Sequence, residues 1–494
     1  MKYPLLVAVL FCSTTLNAEK YYDFNAACRQ AYSEIISLRI ANGQQLLADE
    51  KKAHPDNLIP YFLDNYADFF PLFFNEDIKE FDKKQPLKEA RLAAMKIGPK
   101  DSPWCLFTQA VLQLQWAAIH IKFGERWAAG WSCKAAYDLV KDNQKLFPNF
   151  TPNKMVMGPL QVAAGTIPKG YQWLSNMLGV KGNIANGMKD LSDFINSSDA
   201  TAGIFKEEAI FYYCYLKFYF ENKPADALEL IKAKKLDVVN NHLFAYMAAN
   251  LSLNNQQSAA TKSFVLNRNN SASYMASPIW DFELAYSKLY HLEPDAYIYF
   301  DRFLRNFKGN FYVKDCWLKL GWYYLLQGNT VQYIQCMDQV KIKGNADTDA
   351  DKRALKEAKS GKVPHPILLK ARLLSDGGYP SEAYEVLKGK SSFDFPTEED
   401  KLEFAYRIGR VYEELGHYDE AVQAYLTTIK TGSDRTEYFA ARAALQVAMI
   451  YEVQKKNKSM AIAFYNQCLT MENHDYKNSL DQKAKAGVER CSGR

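Results

Sequence analysis

Residues 317–324 read WLKLGWYY, and Trp317, Leu320, Gly321 and Tyr324 follow one another at intervals of three, one and three. Positions three and four apart share one face of a helix, so this spacing predicts a helix whose seam carries a bulky residue, a branched one, a gap and an aromatic. The pattern recurs along the chain. Residues 404–425 place Ile408, Gly409 and Tyr412 in the same frame, then Gly416, Ala421 and Tyr425. Residues 368–387 offer Ala371, Leu374, Gly378 and Ala383. Residues 445–469 offer Ala448 and Tyr451, then Ala461 and Tyr465, with one extra residue in the turn. Ala248, Leu251, Asn255, Ala260 and Phe264 repeat the frame earlier, as do Phe218, Asn222 and Ala227. Each stretch reads as two helices joined by a tight turn. The small residue of the first helix lets the second approach, and the aromatic three residues on fills the space beside it. Gly328, Gly378 and Gly416 supply the left-handed residue that ends the first helix.

The in-frame positions Tyr215, Ala248, Gly321, Ala371, Gly409 and Ala448 lie 33, 73, 50, 38 and 39 residues apart. The 73-residue gap holds one further, divergent hairpin over 278–307, and the 50-residue gap holds a polar loop, 343–366. Seven hairpins are expected within 201–475, followed by a polar capping helix and tail at 476–494. This repeat resembles the tetratricopeptide repeat, whose pattern is W-x2-L-G-x2-Y, a turn, then A-x3-F/Y, with a period of about 34 residues. The resemblance implies an all-α fold: an α-solenoid of helical hairpins wound into a right-handed superhelix.

Residues 19–200 are helical in pattern but off the repeat, with candidate helices at 24–53, 57–70, 86–97, 103–123, 125–146, 153–164 and 168–178. Within this irregular region, residues 167–191 begin a short helix at a Pro, turn at Gly179 and Gly182, and begin another helix near Ile184. This part is similar to the tetratricopeptide repeat domain 39 family and its outer-mitochondrial relatives, here in an exported bacterial form. Those relatives place a similar Pro/Gly-punctuated segment before their repeats.

The first residues, MKYPLLVAVLFCSTTLNAEK, run from one Lys through an apolar stretch, Pro4 to Cys12, to small residues ending at Ala18. That is the layout of a signal peptide over 1–18, with cleavage between Ala18 and Glu19. A lipoprotein reading would need a small residue before Cys12, where Phe11 stands. Export to the periplasm or the outer membrane of the cell envelope is therefore expected. The apolar stretch is too short to span a bilayer. No later segment offers a transmembrane span, since AIFYYCYLKFYF (209–220) is interrupted by Lys217 and reads as a fully buried helix.

Removal of residues 1–18 would bring the net charge from +5 to +4, nearly balanced and without the basic stripe that nucleic acid requires. Eight cysteines would remain, at long and irregular spacings without C-x-x-C. They read as buried free thiols rather than a disulfide framework.

The sequence gives no sign of catalytic chemistry. GVKGNIANG (179–187) lacks the Gly-Lys-Ser/Thr of a phosphate loop and reads as turn punctuation. DTDAD (347–351) imitates a calcium loop, but Lys352 stands where Gly is required, so it reads as an acidic solvated loop. The seven His residues are scattered, and no His/Cys cluster has metal spacing. No cofactor, metal or enzymatic activity is expected.

The repeat resemblance implies instead a concave surface lined by the first helix of each hairpin. Carried onto this sequence, it names Asp315, Leu318, Trp322, Leu325 and Leu326, then His365, Leu368, Arg372, Ser375 and Asp376. It continues with Glu403, Tyr406, Arg410, Glu413 and Glu414, and ends with Arg442, Leu445, Met449, Glu452 and Val453. Trp322, Arg372, Tyr406, Arg410 and Arg442 are the candidate groove residues: aromatics for apolar anchors, guanidiniums for carboxylates. Two alternatives stand beside that role: Arg410 pairing only within its own helix with Glu413 and Glu414, and Trp322 being covered by the next hairpin. The function expected is a non-enzymatic scaffold binding a protein or peptide in the groove. A glycan-binding envelope protein of the starch-binding repeat type is the alternative, and an intracellular adaptor is a third reading.

Overall fold

The computed structural model describes residues 19–165, 179 and 182–493, and among them every regular element is helical. A lone bridge pairs Tyr21 with Asn57. The expected signal peptide and the expected helix at 168–178 lie outside the described residues. No helix of the described residues is long and apolar enough to cross a membrane. The chain forms two compact units, one of residues 1–223 with 270–275, the other of 224–269 with 276–494.

In the first unit the stretch expected as one helix over 24–53 is two, Ala26–Ile36 and Ile40–Ala53, broken where Leu38 takes a left-handed conformation. The helices Ile59–Asn75, Leu87–Lys96, Pro103–Lys122, Arg126–Leu146, Asn153–Gly165 and Ile184–Ile195 lie where the apolar periodicity places them. The short helix Ile78–Lys84, which that periodicity does not mark, begins at Asp77, whose carboxylate accepts from the Lys79 amide. Lys206–Tyr219 is not the fully buried helix expected, because Tyr219 and the following Phe220 are exposed. Its Glu208 is buried among three tyrosines, accepting from Tyr32 at 2.7 Å, Tyr66 at 2.8 Å and Tyr212 at 2.5 Å. Three donors satisfy a carboxylate that burial alone would neutralise.

The second unit is an α-solenoid of stacked antiparallel hairpins. After Pro224–Ala233 come His242–Asn254 with Ser258–Asn267, Ile279–Tyr290 with Ala296–Asn306, and Val313–Leu326 with Thr330–Ile342. Further on are Pro366–Gly377 with Pro380–Leu387, Glu398–Glu414 with Tyr418–Gly432, and Phe439–Met449 with Lys458–Thr470. Lys477–Ser492 closes the array and buries Leu480, Ala484, Gly487 and Cys491.

The seam residues pack as a hairpin requires. Trp317, Leu320 and Tyr324 belong to one apolar cluster, and a Cβ on Gly321 would stand 2.5 Å from Met337 Cε. A Cβ on Gly409 would stand 2.9 Å from the Tyr425 ring. Ala421, Tyr425 and Ala448 are fully buried, Tyr412 packs against the same cluster, and Tyr451 stacks on Phe464. Gly328, Gly378 and Gly416 have positive φ and end their helices. The extra residue near 450 is absorbed inside the helix, which ends in a π turn, Ile450–Gln454, rather than in a longer loop. In the 242–267 hairpin the left-handed residue is Gln256, one later than the Asn255 that the repeat frame indicates.

The polar loop expected over 343–366 is in fact a helix, Asp349–Ser360. Thr348 caps it by accepting from the Asp351 amide, Gly361 ends it in the left-handed conformation, and Ala354 and Ala358 supply a narrow buried stripe. Nor is DTDAD a solvated loop, because Asp351 is completely buried. Its carboxylate accepts from Tyr312 N at 2.8 Å, Asp315 N at 3.1 Å and Thr348 Oγ1 at 2.6 Å, so it caps the start of helix 313–326 from a distance.

This inserted helix packs on helices 313–326 and 330–342. Helix 366–377 packs not only on 398–414 but also on 279–290. Gly378 lies so close to Gln256 that a Cβ there would stand 1.9 Å from its carbonyl oxygen, and Gln256 Nε2 donates to the Ser375 carbonyl at 2.9 Å. His291 stacks on Tyr379 at 4.1 Å between ring centroids. The turns of three hairpins thus meet, and Gln256 at their meeting point also lines a cavity.

Candidate functional site

The cavity, about 1450 Å³, is lined by the first helices of the later hairpins, the inserted helix and the start of the C-terminal helix. All five candidate groove residues line it: Trp322, Arg372, Tyr406, Arg410 and Arg442. Of the wider set, Asp315, Leu318, Asp376, Glu403, Glu413, Glu414, Met449 and Val453 also face it. Leu325, Leu326, His365, Leu368, Ser375, Leu445 and Glu452 do not line it.

The two aromatics are wall rather than anchor. Trp322 is 1% exposed, with Lys319 Nζ 3.7 Å from its ring centroid and Arg372 Cζ 4.6 Å away. Its indole N–H donates to Glu357 Oε1 of the inserted helix at 2.7 Å. Tyr406 is 5% exposed and packs against Tyr425, Tyr438 and Phe439. Burial pushes its hydroxyl up.

The guanidiniums divide into two groups. Arg410 does more than pair within its helix: it donates to Glu414 at 2.9 Å and to Asp376 of the preceding hairpin at 2.6 Å, and its pair within the helix is not Glu413. Burial alone would raise the Asp376 carboxyl, but the guanidiniums of Arg410, Arg372 and Arg407 outweigh it and hold the group at about 2. Arg407 forks onto Glu403 at 2.7 and 2.9 Å. These pairs brace the floor of the cavity. Arg442 and Arg353, by contrast, have no carboxylate partner among the described residues.

Repeat spacing does not point to Lys319, Arg353, Lys356, Glu357, Arg407, Tyr438 or Tyr476, which also line the cavity. Arg353, Lys356 and Glu357 belong to the inserted helix, which no repeat pattern contains. Lys356 pairs with Asp475 beside the C-terminal helix, so the insertion reaches across to the end of the array. Tyr438 and Tyr476 meet edge to face at 5.2 Å.

Among the described residues no group of His, Cys, Asp and Glu is placed to hold a metal ion. Among the described residues eight cysteines are free thiols, seven buried and Cys133 half-buried.

Residues 402–430 and 441–475 match the tetratricopeptide repeat family model. They cover the two hairpins from 398 to 470, which are tetratricopeptide repeats. Among curated proteins no sequence matches the chain. Among solved structures, the crystal structure of the APC/C hetero-tetramer Cut9-Hcn1 is similar over 90% of this chain and 87% of that one, at 13% identity and a TM-score of 0.27. A likeness that distant informs neither partner nor activity.

Proposed function

We propose that this protein is a non-enzymatic scaffold that holds a segment of a protein partner in the cavity of its second unit. The observation that carries the reading is the cavity itself: about 1450 Å³, open, and walled by successive hairpins of an array that contains tetratricopeptide repeats. Its volume exceeds that of an ordinary small-molecule site, and its walls mix apolar surface with charged groups. Trp322 and Tyr406 are covered by their neighbours, so neither aromatic groove candidate offers an open ring face to a sugar. That weighs against the glycan alternative.

The test is capture from extract of the source cell with the full chain and with Met449→Trp, which fills the cavity from a 41% exposed position. A stoichiometric protein held by the native chain and lost with Met449→Trp supports the reading. The same protein held equally by both variants contradicts it. We propose further that the scaffold works outside the cytoplasm, on the pattern of residues 1–18. Glu19 as the N-terminal residue of the protein isolated from its source cell supports export, and an intact Met1 contradicts it.

A further inference from the structure

We infer that Lys319 is a covalent binding site for a small oxo acid, an aldehyde or ketone that carries a carboxylate, which it captures as an imine. Capture there needs the cavity but no protein segment in it, so it stands or falls independently of the scaffold reading.

Three lysines of the second unit are buried: Lys288, Lys314 and Lys319. Two of them are fully engaged. Lys288 donates to Glu293 at 2.8 Å and to Asp295 at 2.9 Å. Lys314 donates to the Val340 carbonyl at 2.7 Å and to the Lys343 carbonyl at 2.8 Å. Neither lines the cavity. Lys319 does line it, although it is only 8% exposed. Its Nζ stands 3.7 Å from the Trp322 ring centroid and 3.8 Å from Asp315 Oδ1, and it makes no hydrogen bond among the described residues. A lysine so buried without an acceptor is costly, and Met or Leu would fill the same wall more cheaply. Packing therefore does not account for the amine.

Its neighbours suit nucleophilic chemistry. Burial is the largest influence on the amine and pushes its proton affinity down. Asp315 of the same helix opposes that, Arg372 of helix 366–377 adds to it, and Glu357 of the inserted helix and Asp376 oppose it. The balance falls below the ordinary lysine value, which enlarges the neutral, reactive fraction. Asp315, one turn before Lys319, also lines the cavity, and Tyr286 donates to its Oδ2 at 2.6 Å, leaving Oδ1 toward the amine. In the capture step the Nζ lone pair adds to the carbonyl carbon. Both amine protons pass by way of Asp315 to the former carbonyl oxygen, which leaves as water as the C=N bond forms. No oxidant or reductant is consumed. Once protonated from solvent, the imine is again a cation over the Trp322 ring.

The carboxylate of the ligand has a partner on the same ring. Arg372 Cζ lies 4.6 Å from the Trp322 centroid. Arg372 stands 3.8 Å from Asp376, too far for a hydrogen bond, and Asp376 accepts from Arg410 instead. The guanidinium fork is thus open to a carboxylate.

The test is reductive trapping on the full chain: glyoxylate with cyanoborohydride at pH 7, followed by peptide mapping. Lys319 should be modified first, roughly tenfold faster than the exposed Lys52, as its larger neutral fraction requires. Lys319→Met should lose the fast adduct at an undiminished melting temperature, since an apolar side chain replaces a buried unpaired amine. Asp315→Asn should slow capture at Lys319 and leave Lys52 unchanged. Arg372→Gln should slow capture of glyoxylate roughly tenfold and leave that of acetaldehyde, which has no carboxylate, unchanged. Modification of Lys52 and other exposed lysines with Lys319 unmodified or no faster would overturn the site. Equal slowing of both aldehydes by Arg372→Gln would overturn the oxo-acid assignment. Neither outcome touches the capture of a protein partner.

Discussion

Arg410 Nη1 donates to Asp376 Oδ1 at 2.6 Å, joining the first helices of two successive hairpins through a charge-assisted bond at the floor of the cavity. Both side chains are half-buried at the cavity wall, so each charge is only partly solvated and its partner replaces part of the lost hydration. Arg410→Met should cost about 2 kcal/mol, with Asp376→Leu/Arg410→Met costing less than the sum of the single changes. Chemical denaturation of the four proteins measures that cycle.

The same pair sets an acid limit. The folded Asp376 carboxyl sits at about 2, below its ordinary value near 4. A depressed folded value contributes stability that is present above about pH 4 and is lost as the pH falls toward 2. The loss should be about 2 kcal/mol across that window, and Asp376→Asn should remove that part of the slope.

Glu283 should act in the opposite direction. It is fully buried, Asn250 Nδ2 donates to one oxygen at 2.9 Å, and the other has no partner among the described residues. Burial pushes its carboxyl up to about 8. The unfolded chain releases this proton near pH 4.5 and the folded chain holds it, so stability declines as the pH rises from there to about 8. Glu283→Gln should flatten that decline, gaining a few kcal/mol at pH 8 relative to pH 5. Melting curves at the two pH values test it; equal shifts at both would refute the assignment.

Two glycines with the same backbone conformation should differ in cost. Gly378 and Gly416 both have φ near +80°. A Cβ on Gly416 meets nothing, whereas one on Gly378 would collide with the Gln256 carbonyl. Gly416→Ala should cost about 1 kcal/mol, the left-handed penalty alone. Gly378→Ala should cost roughly 2 kcal/mol more, because the meeting of the hairpin turns must give way.

Hairpin seams were legible because each depends on residues three and four apart in one helix, as at Trp317, Gly321 and Tyr324. The five groove candidates line the cavity because each lies on a first helix at a position that the repeat frame marks. Their roles were less legible, since the cover on Trp322 comes from Lys319, Arg372 and Glu357, and two of those lie in other helices. The inserted helix was missed because its apolar face is only Ala354 and Ala358 with a half-buried Leu355, too weak to stand out among so many charges. Its ends were nonetheless written in the chain, in Thr348 with Asp351 three residues on and in Gly361.

Asp351 tests whether that helix is part of the wall. Asp351→Ala leaves the Tyr312 and Asp315 amides without their acceptor and removes the link to Thr348. A loss of about 2 kcal/mol is expected, with faster amide exchange in both helix 349–360 and the first turn of helix 313–326. Exchange confined to 349–360 would mean that the two helices are not coupled through this carboxylate.

The most direct test of the central claim is site-specific photocrosslinking in the source cell. A benzophenone residue at Met449 faces the cavity, and one at Phe393, 93% exposed in the short 3-10 turn Ser392–Asp394, does not line it. A discrete protein adduct is expected from position 449 and none from 393. An adduct from 393 with none from 449 would contradict it.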